Sequence, residues 1–298
     1  MTTGLLWIDP KGASHDLTNP STFYWIPGAT GMFMPPMDIQ EQGVPLQPGA
    51  IMRLTLAKPR DVVLPVVVTG VSAADFYNNY ETLCSALYSA TSQNPGTLRR
   101  TTPNGHVRDL VCYYNGGADG DESVDNSGVA HMILPIAMRA DDPFWYDSVP
   151  TIQTFSPSGL QNFFQNPFLP VHLSASGLSS SFSIINGGDD VAWPIWTITG
   201  PATNPTLTNQ YTAANGATIT KTLALTITLG SSDVLTIKTK PGTASITKQD
   251  GSNQFSAMSP TSSLWALQPG NNQCGVSMSG TGASSQVVLQ YKQAYLTP

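Results

Sequence analysis

A single stretch of this chain carries a helical period. In "SAADFYNNYETLCSALYSAT", Ser72 to Thr91, apolar side chains recur at Phe76, Tyr80, Leu83, Cys84, Leu87 and Tyr88, close to one face of a 3.6-residue repeat. Ser72 suits the N-cap, Asp75 follows three residues later as in a capping box, and Asn94-Pro95-Gly96 stops the helix. Almost everything else reads as strands and turns. The order strands, one helix, strands makes the first half α+β within a mainly β chain.

Around the helix the strand pattern is specific. "AIMRLTLA" and "DVVLPVVVTG" flank Lys58-Pro59-Arg60 and predict a hairpin before the helix. After it, "GTLRRTTPNGHVRDLVCYY" predicts a hairpin around Pro103-Asn104-Gly105, and "AHMILPIAMRADDPFWYD" a strand ending at Asp141-Asp142-Pro143. Between residues 27 and 49 lies a long stretch with Gly, Pro and Met and little period, read as a loop. It carries Met32, Phe33, Met34 and Met37, apolar side chains that need cover. An arm reaching over a neighbouring subunit would supply it, and so would folding back on the same domain.

A Pro-, Phe- and Asn-rich stretch from Pro150 to Pro170 marks a domain boundary, giving domains 1–149 and 150–298. The second reads as all-β. "TLALTITLG" alternates Leu223, Leu225, Ile227 and Leu229 with Thr and Ala, and "SSDVLTIKTK" is expected to pair back on it. Turns fall at Asp250-Gly251 and Pro269-Gly270-Asn271, and "SSQVVLQYKQAYL" adds a last alternation. Regular strands separated by turns predict a β-sandwich.

Composition narrows the function. Charged residues are 11% of the chain against about 25% in an ordinary domain, a surface poorly protected against association. Net charge is -6 and the basic residues do not cluster beyond Arg99-Arg100, which argues against nucleic-acid recognition. No apolar run is long enough for membrane insertion, and the start MTTGLLWIDPKG does not read as a signal peptide, so synthesis in a cytoplasm is expected.

Chemistry-bearing motifs are sparse. Cys84, Cys112 and Cys274 are scattered, and His15, His106, His131 and His172 stand alone, so no metal, cofactor or catalytic histidine is expected. Asp119, Asp121, Ser123 and Asp125 fit positions 1, 3, 5 and 7 of a calcium loop. Val124 and Ala130 break the match where Gly and Glu are wanted. Asp141-Asp142 and Asp189-Asp190 sit at turns, where Asp is common, and adjacent strand residues cannot both face one cleft. Trp193 and Trp196, in "DDVAWPIWTITG", offer a glycan contact if exposed and a packed strand if buried. Pro194 between them points to a sheet edge or a bulge.

Several of these segments, in this order, resemble the distal tail protein of siphophage tails. They are the helix followed by "NPGTLRR", "LVCYYNGG", "MILPIAMRADDPFWYD", "INGGDDVAWPIWTITGPATNPTLTN", "LTIKTKPGTASITKQDGSN" and "SSLWALQPGNNQ". The second acid of Asp189-Asp190 and the acidic loop 118–125 depart from the family's pattern. The resemblance implies a non-enzymatic virion protein at the distal end of the tail. Its first domain would form a homohexameric ring, and its second would be a galectin-like sandwich. Implied partners are the tail tube protein, a tail-tip or tail-associated protein and a receptor-binding protein. The alternative is a carbohydrate-binding module that grips host cell-wall glycans through the second domain, with Trp193 and Trp196 as contacts.

Overall fold

The structure is a computed structural model that describes residues 4–43, 48–120, 127–128, 130–157, 161–162, 172–173 and 177–298. It divides into two compact units, Met1–Ser148 with Tyr295–Pro298, and Val149–Ala294. The last four residues of the sequence thus belong with the first unit, not with the segment that precedes them.

In the first unit the strands are β1 (Gly4–Ile8), β2 (Ser14–Asp16), β3 (Thr18–Asn19), β4 (Phe23–Trp25), β5 (Met37–Gly43), β6 (Ala50–Ala57) and β7 (Arg60–Thr69). The helix α1 (Ala73–Tyr88) follows, then β8 (Gly96–Thr101), β9 (Val107–Gly116), β10 (His131–Ala140) and β11 (Trp145–Asp147). The main sheet runs β2-β1-β8-β9-β10-β7-β4-β3. Its longest pair is β7 with β10, in register from Arg60 opposite Ala140 to Thr69 opposite His131. Alternation decides which side chains go inward. Val62, Leu64, Val66 and Val68 from β7 meet Met132, Leu134, Ile136 and Met138 from β10, all buried. Pro65 stands directly opposite Pro135. Facing residues of an antiparallel pair exchange two hydrogen bonds or none, so two facing prolines fit the position that needs no N–H.

The helix follows its sequence signal at its start and over most of its apolar face, but it ends at Tyr88, short of Thr91, and Tyr88 is exposed and not on the buried face. Ser72 Oγ accepts from the Asp75 N–H at 3.2 Å, and Asp75 Oδ2 accepts from the Val71 N–H at 2.9 Å. Phe76, Leu83, Ala86 and Leu87 form its buried face. At its inner side Trp7 Nε1 donates to the Ala86 carbonyl, and Gly96 lets the Trp7 ring pass, since a Cβ there would stand 2.4 Å from it.

Two expectations fail before the helix. β6 does not pair with β7. It pairs with β5, which lies inside the stretch read as loop, to form a separate two-stranded sheet. β7 instead takes the long β10 on one side and β4 on the other. An alternating strand fixes which side chains share a face but not which neighbour it joins, and the long pairing buries far more apolar surface.

The second unit is built on two five-stranded antiparallel sheets. One joins β12 (Thr151–Phe155), β14 (Ile195–Thr199), β17 (Val234–Lys238), β18 (Ser245–Lys248) and β20 (Gln286–Tyr291) in the order β12-β20-β14-β17-β18. The other orders β13 (Gly177–Asn186), β19 (Gly270–Ser279), β15 (Ala202–Thr212) and β16 (Thr218–Ala224) as β13-β19-β15-β16, with Thr228–Leu229 pairing β15. Trp196, Ile198, Leu235, Ile237, Val287 and Leu289 from the first share a core with Leu207, Leu223, Val276 and Met278 from the second. β17 therefore does not pair back on β16 as expected; it crosses to the other sheet beside β14. Pro194 is not at an edge either, because it precedes β14, the central strand of its sheet.

Candidate interaction surface

The hairpin β5–β6 is the most exposed element of the first unit. Every described residue of the two strands is exposed except Asp38 and Ala57, which are half-buried. Register puts Leu54 and Leu56 on one face, opposite Gln40 and Asp38, and then shifts at a bulge between Gln40 and Glu41. Ile39 and Met37 lie on the other, with Thr55, whose hydroxyl donates to the Met52 sulfur at 3.4 Å, and Arg53 Nε donates to Gln42 Oε1 at 2.7 Å. Met52 is 65% exposed, Leu54 45% and Leu56 49%. An isolated two-stranded hairpin is marginal in water, and this one, which pairs with no further strand among the described residues, presents aliphatic side chains to it.

The neck of the hairpin is tightly built. The Lys58 N–H donates to the Pro36 carbonyl at 2.8 Å, and Lys58 Nζ pairs with Asp38 at 2.9 Å. Upstream, Thr30 and Val63 exchange both backbone hydrogen bonds, at 2.9 and 3.1 Å. Gly31 then turns with φ +76, and a Cβ there would lie 1.9 Å from the Asp61 carbonyl oxygen, so only glycine fits. Arg60 is fully buried at this point. Its Nη1 donates to the carbonyls of Met32 at 3.1 Å and Phe33 at 2.6 Å and reaches that of Gly31 at 3.4 Å, while Nη2 donates to the Leu296 carbonyl at 3.0 Å. Burial pushes the Arg60 guanidinium down to about 10, and the charge of Asp142 works against that shift.

Of the four residues read as an inter-subunit arm, Met32 is a correction. It is buried within its own unit, its carbonyl accepting from Trp145 Nε1 at 3.0 Å and its sulfur from Arg100 Nη1 at 3.4 Å. It anchors the neck. Phe33, Met34 and Met37, just beyond, are exposed. Arg60 and Gly31 were not singled out from sequence. Arg60 had a signal, because it is in phase with Val62, Leu64 and Val66 on the inward face of "RDVVLPVVVT".

The other candidate residues do not assemble into a site. Trp196 is sealed, 0% exposed, with its ring edge-on to Trp265 at 5.6 Å, and gives no face to a sugar. Trp193 is half-buried on the chain leading into β14. A groove of about 390 Å³ does cross the β13-β19-β15-β16 sheet, lined by Ser181, Thr206, Thr208, Gln210 and Gln273 among others, but no aromatic side chain lines it. Asp141 accepts from Arg139 Nε, and Asp142 from the Tyr146 hydroxyl at 2.8 Å. Asp189 and Asp190 hold the turn against Ala294 through their N–H groups. Asp121, Ser123, Val124 and Asp125 of the calcium-like run lie outside the described residues. Among the described residues no three His, Cys, Asp or Glu side chains could hold a metal ion, and no helix is long and apolar enough to cross a membrane.

The chain is mainly β, in two compact units, and its most prominent surface feature among the described residues is an apolar hairpin. Residues 187–295 match the family described as the siphovirus-type tail component, C-terminal domain. The whole fold is similar to the crystal structure of the phage SPP1 Dit protein, described as a paradigm of the hub adsorption apparatus in phages that infect Gram-positive hosts. The identity is 12%, 99% of each chain is covered, and the TM-score is 0.64. It is also similar to a chain of the phage P2 baseplate in its activated conformation with Ca, at 10% identity, 98% of each chain and a TM-score of 0.53. No curated protein sequence matches. Residues 187–295 thus resemble a siphophage tail-component domain, and over its length the chain has the fold of the phage SPP1 Dit protein.

Proposed function

We propose that this protein is the distal hub of a siphophage tail, non-enzymatic and resident in the virion. Six copies would close a ring through the first unit and join the tail tube protein to the tail-tip and receptor-binding proteins. The second unit, a galectin-like sandwich, would serve as their attachment platform. One observation carries the ring: the β5–β6 hairpin exposes Leu54 and Leu56 on one face and Met37 and Ile39 on the other, and among the described residues it makes no strand pairing beyond itself. A neighbouring copy is the occupant we assign to the hairpin. Identical subunits in a closed ring cover one another's patches without leaving any open, and the low charge of the chain weakens the repulsion that would oppose this. The likeness to a phage hub over the full length supports the same reading.

The glycan-binding reading draws less support. Trp196 is enclosed, and the hydroxyl-lined groove has no ring on which a sugar could stack.

The test is a Leu54→Ser/Leu56→Ser double variant. Each side chain is about half exposed, so each keeps roughly 1 kcal/mol of burial to gain in an interface, and the pair about 2. Association should weaken about 30-fold per contact in sedimentation velocity, with the melting temperature unchanged. A wild-type chain that stays monomeric at every concentration would overturn the proposal.

A further inference from the structure

The neck of the arm and the end of the sequence meet at one side chain. Arg60 donates with one nitrogen to the carbonyls of Met32 and Phe33 and with the other to that of Leu296. Next along, Arg108 Nη1 donates to the Thr297 carbonyl at 2.8 Å, and its guanidinium lies 3.4 Å from the Tyr295 ring centroid. Residues 295–298 are therefore held on the first unit by two arginines that take their backbone carbonyls, and Pro298 is buried there.

We infer that Arg60 is a positioning residue for the arm and that Tyr295–Pro298 is a strap that keeps Arg60 in place. The end of the sequence would then set how firmly the arm leaves its unit. The chemistry is that of a fully buried cation. Its Nη donors find carbonyl oxygens from two segments far apart in sequence, residues 31–33 and Leu296, while its Nε is without a partner. Take away either segment and a buried guanidinium is left with unmet donors, at a cost that favours opening toward water. The planar fork of arginine spans both segments at once; a lysine ammonium is a point donor and cannot hold both in one geometry. Loosening would appear first at the neck, where the Thr30–Val63 pair and the Lys58-to-Pro36 hydrogen bond close the arm.

This inference rests on the arm being the association element, so its test is read without association. Hydrogen exchange is followed by mass spectrometry on the full chain, kept dilute enough to be monomeric. Compared with it are Arg60→Lys, Arg60→Met, Arg108→Gln and a chain ending at Ala294. Neck amides at 30–36 and 58–63 should exchange about tenfold faster in Arg60→Met and in the shortened chain, and less so in Arg60→Lys. Amides of α1 and of the second unit should not change. Arg108→Gln frees the strap without touching the buried cation, so it reads the same effect if Arg60→Met does not fold. Unchanged neck exchange in a folded shortened chain and in Arg108→Gln would overturn the strap. So would a uniform rise over the whole first unit, which is the mark of plain packing. A loosened neck in a chain that never associates would sustain the strap and sink the ring.

Discussion

Removing the Trp196 ring separates a packing residue from a binding residue, and its size can be worked from the surroundings. The side chain is fully enclosed, lies between Ile237 and Leu289 in register on the two flanking strands, and meets Trp265 edge-on. Loss of a buried aromatic to alanine costs about 3–5 kcal/mol, the edge-on ring contact included. One term works the other way. Trp196 Nε1 is buried with no hydrogen-bond partner, so its removal relieves an unmet donor worth about 1 kcal/mol or more. Trp196→Ala should therefore destabilise the second unit by about 2–4 kcal/mol. Trp196→Phe keeps most of the packing and drops the N–H, and should cost about 1 kcal/mol or less. Chemical denaturation of the full chain, followed by fluorescence and by circular dichroism, reads both. An unchanged midpoint for Trp196→Ala, as a surface sugar platform would give, would refute the reasoning.

Three further outcomes follow from the same packing. Leu83→Ala and Leu87→Ala, at the buried face of α1, should each cost about 2–5 kcal/mol in the first unit's transition; no change in either would mean the helix face is misassigned. Gly31→Ala should loosen the neck, since its Cβ would collide with the Asp61 carbonyl oxygen, and faster proteolysis within 30–57 is the sign to look for. Burial pushes the Cys112 and Cys274 thiols up to about 12, so at pH 8 both stay protonated and should react with a thiol reagent only after unfolding; fast labelling of either in the folded chain would contradict the cores drawn here.

The helix was legible because three independent signals coincide on it: an apolar period, a cap at Ser72 with Asp75, and a Pro-Gly stop. The interior of the second unit was legible for the same reason, as "IWTIT" and "VLTIK" alternate cleanly. Pairing was not. "AIMRLTLA" has the same alternation whether it joins the strand before it or the strand after it, and only the competition for the long β10 decides. β5 was read as loop because "MDIQEQG" is exposed on both faces, and a strand without a buried face has no period to show. Met32 and Phe33 are neighbours of similar character, yet one anchors the neck and the other points to solvent; the Arg60, Arg100 and Trp145 contacts that separate them come from distant parts of the chain.

Native mass spectrometry of the full chain tests the central claim most directly. The account predicts a dominant particle of six copies of the 31.7 kDa chain, about 190 kDa, that falls to monomer in the Leu54→Ser/Leu56→Ser variant. A wild-type chain that remains monomeric at all concentrations, or a six-copy particle that the double variant forms equally well, would contradict it.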